Sequence, residues 1–181
     1  MANYNFFDIK RRSPHRNITI VVNQACARGL AIMRSVSNPQ QGVPASPADD
    51  AGVGAPLLGF LTRPVVDGGP TVIQRAQLYG DSPLVKELEQ PFTLGQECSL
   101  EHADAVVVEG ENNMVVGSGT GYIDDSTALG TRCGFYEGRF RVAQSGDDEL
   151  YALTDISTDA NTLLTAEGDG PRCRFERIQA A

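Results

Sequence analysis

The chain has 181 residues, 41% hydrophobic and 21% charged, and its 23 Asp plus Glu against 15 Lys plus Arg give a formal net charge of −8. A domain of this length buries roughly 70% of its unfolded surface without help from a metal or disulfide, and the acidic excess excludes a protein that grips nucleic acid with its whole surface. No apolar run approaches the ~20 residues of a membrane-spanning helix.

Residues 1–16 carry Lys10, Arg11, Arg12 and Arg16 against Asp8 alone. An export signal would follow such charges with ~7–15 apolar residues. Here Ser13, Pro14, His15, Arg16 and Asn17 intervene, and the run Ile18–Val22 is short and contains Thr19, so no export signal is expected. From Ile18 to Val36 the pattern is extended and predicts a hairpin turning at Asn23 and Gln24. Between Ser37 and Pro56 lie Pro39, Gly42, Pro44, Pro47, Gly52, Gly54 and Pro56, a composition that predicts a long surface loop. The loop could divide the chain, but the segment of about 36 residues before it is too short to carry a core of its own, which favours one domain with an elaborated N-terminal extension. Residues 1–56 are expected to form an N-terminal arm, a hairpin and a Pro/Gly-rich loop attached to a β-rich body over 57–181.

Leu57–Thr62 and Thr71–Leu78 read as strands separated by the turn-forming Pro64, Asp67, Gly68, Gly69 and Pro70. One helix is predicted, capped by Ser82 with Pro83 at its first position, running through Leu84, Val85 and Leu88 and stopped by Pro91. Ala105–Val108 and Met114–Val116 flank the polar Glu109–Asn113 and suggest a hairpin. A second hairpin joins Leu129–Tyr136 to Arg139–Ala143 at Glu137-Gly138. Leu150–Ile156 follows the Ser145–Asp148 turn, and Arg172–Glu176 alternates charged with apolar, the period of a half-buried strand. Short strands with frequent turns and no βαβ pattern predict an all-β fold. The expected architecture is an antiparallel β-sandwich or β-barrel body with one short helix and an extended N-terminal arm.

Catalytic or metal chemistry finds little footing. Cys26, Cys98, Cys133 and Cys173 lack the close pairs of a zinc ribbon and the density of a disulfide scaffold, so buried free thiols are expected. His15 sits in the proline-broken basic stretch. His102 stands four residues after Cys98, which supplies two of the roughly four ligands that a structural zinc needs. Gly117–Gly121 lacks the Gly-Lys-Ser/Thr ending of a phosphate loop and the spacing of a nucleophile elbow, and reads as a turn. Asp49-Asp50, Asp124-Asp125 and Asp147-Asp148-Glu149 are sequence neighbours that point opposite ways on a strand, poorly placed for acid/base pairing. Any calcium site would have to assemble from separate loops. No catalytic residue, metal site or cofactor is therefore expected. What stands out is electrical: from Glu87 to Asp169, 17 acids face only Arg132, Arg139 and Arg141. Lys10, Arg11, Arg12 and Arg16, on an arm, would seek an acidic partner surface or the acidic body of another copy.

Leu57–Val72 (LLGFLTRPVVDGGPTV), Pro91–Gly110 (PFTLGQECSLEHADAVVVEG), Ser118–Ile123 (SGTGYI) and Thr127–Thr154 (TALGTRCGFYEGRFRVAQSGDDELYALT) together resemble the capsid decoration, or cement, proteins that coat the heads of tailed bacteriophages. The likeness rests on GFLTR before a Gly-Gly-Pro turn, Gly-Gln-Glu leading into the valine strand, and Ala-Leu-Gly-Thr before Gly-Arg-Phe-Arg-Val-Ala-Gln. Residues 1–56 fall outside it. The resemblance implies a non-enzymatic virion protein on the outer surface of a capsid assembled in the host cytoplasm, bridging major capsid protein subunits and stabilising the head. The implied partners are the major capsid protein and other copies of itself, with no membrane and no direct nucleic acid contact. A different class, a β-sandwich module that binds carbohydrate or a receptor in a head fibre or tail-associated adhesin, shares the expected architecture. It would saturate with a glycan and be dispensable for head stability.

Overall fold

The computed structural model describes residues 7–13, 18–46, 57–67, 91–109, 120–124, 126–157 and 172–178. In chain order the strands are β1 (Phe7–Arg12), β2 (Ile18–Val22), β3 (Ala31–Arg34), β4 (Gln41–Pro44), β5 (Leu57–Leu61), β6 (Val65–Val66), β7 (Phe92–Thr93), β8 (Glu97–Glu101), β9 (Ala103–Glu109), β10 (Arg132–Tyr136), β11 (Arg139–Val142), β12 (Tyr151–Ser157) and β13 (Arg172–Arg177). There is no helix among the described residues, and the fold is all-β. The segment predicted as a helix, Ser82–Pro91, lies outside them except for Pro91, as do Thr71–Leu78 and Met114–Val116.

Two β layers share one core. A six-stranded antiparallel sheet runs β1-β9-β13-β12-β10-β11, and a small closed barrel runs β2-β4-β3-β5-β8. The chain passes from barrel to sheet at His102, between β8 and β9. The interface is aromatic: Phe60 from the barrel stacks on Phe140 at 5.9 Å and meets Tyr151 edge-on at 6.0 Å, while Phe140 lies parallel to Phe175 at 3.9 Å. The Tyr151 hydroxyl donates to the Ala103 carbonyl at 2.7 Å, which satisfies the one polar atom of this cluster. In β9, Ala105, Val106, Val107 and Val108 are all buried, paired on one side with β1 and on the other with β13.

The expected strands Leu57–Thr62, Leu150–Ile156 and Arg172–Glu176 are present as β5, β12 and β13, and the hairpin at Glu137-Gly138 joins β10 to β11. Three local expectations are corrected. The extended N-terminal arm is instead, over residues 7–12, the edge strand β1, registered on β9 from Phe7↔Val108 to Arg12↔Ala103, with Ile9 packed against the core. β2 and β3 do not pair with each other. β2 runs parallel to β4 and antiparallel to β8, because between β2 and β3 Cys26 forms a two-hydrogen-bond bridge with Val65, which carries the chain away before it can turn back. The segment expected as a loop supplies β4, a barrel strand between β2 and β3. Its Gly42 is required there: a Cβ would lie 2.7 Å from Ile32 Cγ2 and 3.0 Å from Ile20 Cγ2. Both the barrel and the large sheet thus draw strands from either side of residue 56.

Candidate interaction surface

Strand alternation divides the six-stranded sheet into a face toward the barrel, carrying Val106, Val108, Cys133, Phe135, Phe140, Leu153, Cys173 and Phe175, and an outer polar face. On the outer face, register aligns Arg11, Ala105, Glu176, Ala152 and Arg132 in one row across β1, β9, β13, β12 and β10. Glu176 is shared. Its Oε1 lies 2.9 Å from Arg174 Nη2 and its Oε2 lies 3.9 Å from Arg11 Nη2. The small Ala105 and Ala152 leave space for these long side chains. The pairs are solvent-exposed, so they fix side-chain positions more than they add stability.

The sequence-predicted contact residues separate. Lys10, Arg11 and Arg12 lie together on β1, exposed, with register shifts on both sides of Arg11; Arg16 lies outside the described residues. Arg12 Nη1 lies 3.4 Å from Glu101 Oε1. Arg11 and Arg12 are therefore held by the body's own acids on a strand, although their side chains remain 56% and 70% exposed. At the opposite end of the sheet, Arg132 and Arg139 form no ion pair with any described residue.

That end is a rigid hairpin. Glu137 (φ 49°) and Gly138 (φ 79°) make the two-residue turn with both central residues at positive φ. The Gly138 amide donates to the Ala45 carbonyl at 2.7 Å, the Gly138 carbonyl accepts from the Ala31 amide at 2.9 Å, and the Glu137 amide donates to Ser46 Oγ at 3.0 Å. Three hydrogen bonds thus moor the tip to the barrel. On the outer face, Arg141 donates from Nε and Nη2 to Asp147 at 2.9 and 2.7 Å, and its Cζ sits 5.1 Å from the centroid of the Tyr136 ring. Gly134 makes room for this arrangement, since a Cβ there would come within 3.1 Å of Asp147 Cβ. Sequence reasoning weighed Asp147 only beside Asp148 and Glu149, as a poorly placed acid/base group, and missed the clamp. The available signal was a glycine in mid-strand, which marks a close approach.

The remaining candidates do not converge. Cys98 is buried in β8, donating from Sγ to the Gln96 carbonyl at 3.4 Å, and among the described residues no group of three or more His, Cys, Asp or Glu side chains is disposed to hold a metal. All four cysteines are buried free thiols. Asp124 Oδ1 accepts from the Ser126 hydroxyl and amide and from the Thr127 hydroxyl; these bonds, led by the Ser126 hydroxyl, hold its carboxyl below the usual range and spend it on shaping a turn. The Gly121 carbonyl accepts from the Val142 amide, tying the Thr120-Gly121 turn to β11. Beneath the hairpin tip runs an open groove of about 960 Å³, bordered by Met33, Ser35, Val43, Ser46, Glu137 and Arg139.

No protein-family model matches the chain, and no curated protein matches it.

Proposed function

We propose that this chain is a non-enzymatic structural protein that binds the outside of an assembled phage head, bridges major capsid protein subunits and stabilises the shell. The carrying observation is the fixed cationic edge: Arg11 and Arg12 are positioned by Glu176 and Glu101, yet stay more than half exposed on an acidic molecule. A cationic edge on a rigid β-body suits an acidic capsid exterior, and shallow contacts repeated over a lattice gain strength through multivalency. The resemblance carried by Leu57–Thr154 supports the same reading.

The test is sedimentation of purified chain with heads of the virus that encodes it, assembled without it. Wild type should travel with the shells, and Arg11→Glu/Arg12→Glu should bind at least tenfold more weakly at low salt, with the difference shrinking as salt rises. Chain that stays in the supernatant would refute the reading. A carbohydrate- or receptor-binding module is the second reading, favoured by the groove beneath the hairpin tip, whose serines, Glu137 and Arg139 offer hydrogen-bonding groups beside apolar Met33 and Val43. Saturable glycan binding without shell binding would select it.

A further inference from the structure

We infer that the outer face of the β10–β11 hairpin is a docking patch for a carboxylate-rich protein segment. The inference does not depend on the capsid reading. Register makes Tyr136 and Arg139 cross-strand partners, and Arg132 lies on the same face of β10, two residues before Gly134. Arg132 and Tyr136 are exposed and Arg139 is half-buried. Tyr122 and Leu129, 48% and 60% exposed, lie in the turns that hydrogen-bond through Gly121 to Val142 and through Gly130 to Leu153.

Three features point to a protein partner with carboxylates. The first is charge. In a chain with 23 acids to 15 bases, Arg132 and Arg139 form no ion pair with any described residue, so they offer planar, bidentate donors to carboxylates from outside. The second is composition. Exposed tyrosine beside arginine is the pairing enriched where a few residues dominate protein binding. The third is preorganisation. Arg141, locked on Asp147, backs the Tyr136 ring, and the hairpin tip is moored to the barrel, so little freedom is lost on contact. Arg139 also borders the groove beneath the tip, which extends the patch into a concave run for an extended chain. Guanidinium donors suit phosphate oxygens as well as carboxylates, so the choice of a protein partner rests on the tyrosine–arginine composition of the patch, and the oligonucleotide arm below tests it.

The probe is a fluorescein-labelled oligoglutamate peptide titrated by anisotropy at low salt, with oligolysine and a single-stranded oligonucleotide of equal length alongside. Oligoglutamate should bind, Arg132→Glu/Arg139→Glu should weaken it by about tenfold or more, Tyr136→Ala several-fold, and Arg174→Gln, exposed on β13 two strands from β10, less than about twofold. Arg132→Gln/Arg139→Gln serves if the charge reversal impairs folding by circular dichroism. The inference falls if oligoglutamate does not bind, if Arg174→Gln weakens it as much as Arg132→Gln/Arg139→Gln, or if the oligonucleotide binds more tightly. It also falls if the patch variant instead abolishes self-association, which would make the occupant a second copy. Head sedimentation can fail while this binding survives, so the two proposals stand or fall separately.

Discussion

Arg141 and Asp147 form a bidentate ion pair, with Nε to Oδ2 at 2.9 Å and Nη2 to Oδ1 at 2.7 Å, and their side chains are only 11% and 1% exposed. Asp147 Oδ2 also accepts from the Gln144 amide at 2.9 Å, so the carboxylate closes its own turn while holding the guanidinium beneath Tyr136. Removing one partner leaves the other charge enclosed and uncompensated. Asp147→Ala should therefore cost about 3–5 kcal/mol in urea unfolding. Arg141→Met/Asp147→Ala should lose less than the sum of its single variants, because no isolated charge remains. Additive losses would mean that the pair does not act as a unit.

The way this clamp escaped the sequence reading separates what short-range pattern can and cannot reveal. The β10–β11 hairpin, β12 and β13 were legible because their pairing is local or their alternation is strong: in β13, Cys173 and Phe175 are buried between Arg172, Arg174 and Glu176. β2 and β3 misled because the winning contacts, Cys26 with Val65 and β2 with β8, come from distant chain and leave no trace in the intervening turn. The basic residues of β1 were visible as a cluster. Their anchors, Glu101 and Glu176, were not, since only sheet order brings them together. Arg132 and Arg139, two of the three bases set against 17 acids between Glu87 and Asp169, read as minor charges until register placed them on one face with Tyr136.

Gly42 is the residue that lets a proline- and glycine-bearing segment enter the barrel. Its position faces Ile20, Val22 and Ile32, buried β-branched side chains of a type stiff at χ1 and packed in a filled interior. Gly42→Ala should destabilise by about 1–3 kcal/mol through overpacking, despite the lower entropy of the unfolded alanine chain. Trimming the obstruction should rescue it: Gly42→Ala/Ile32→Val should recover part of the loss in chemical denaturation. An unchanged midpoint in the single variant would show that the barrel has slack at this point.

Glu137 occupies the first central position of a turn that favours asparagine or glycine, at φ 49°. Its backbone is held by Ser46 and its side chain borders the groove, so the residue satisfies the tether without suiting the conformation. Glu137→Asn should raise stability by about 0.5–1 kcal/mol, read as a higher melting temperature, because asparagine tolerates the left-handed region better. Ser46→Ala should lower stability by about 0.5–1.5 kcal/mol by releasing the Glu137 amide. If Glu137→Asn is instead destabilising, the glutamate side chain makes a contribution that its backbone conformation conceals.

The buried thiols set an upper pH limit on the fold. Burial pushes Cys133 up to about 12, against the opposing hydrogen bond from the Leu153 backbone. It pushes Cys173 to about 12, with Cys133 and Asp155 adding to the rise, and Cys26 to about 11, from an ordinary value of 9.0. A thiol kept protonated in the fold ionises first in the unfolded chain. Between pH 9 and 12 the unfolded state therefore binds fewer protons, and stability falls as pH rises through that window; below 9.0 the contribution is complete. Burial also raises the Tyr151 phenol, which extends the loss beyond the thiol range. The urea midpoint should hold steady up to about pH 8.5 and then decline, and Cys133→Ala should show a shallower decline from a lower starting midpoint. Native protein near neutral pH should react with an aromatic disulfide reagent only at the rate at which it opens, since access and ionisation are both withheld. Rapid stoichiometric labelling without loss of structure would mean that these thiols are not enclosed, and a midpoint flat across the alkaline window would mean that they ionise alike in the folded and unfolded chain.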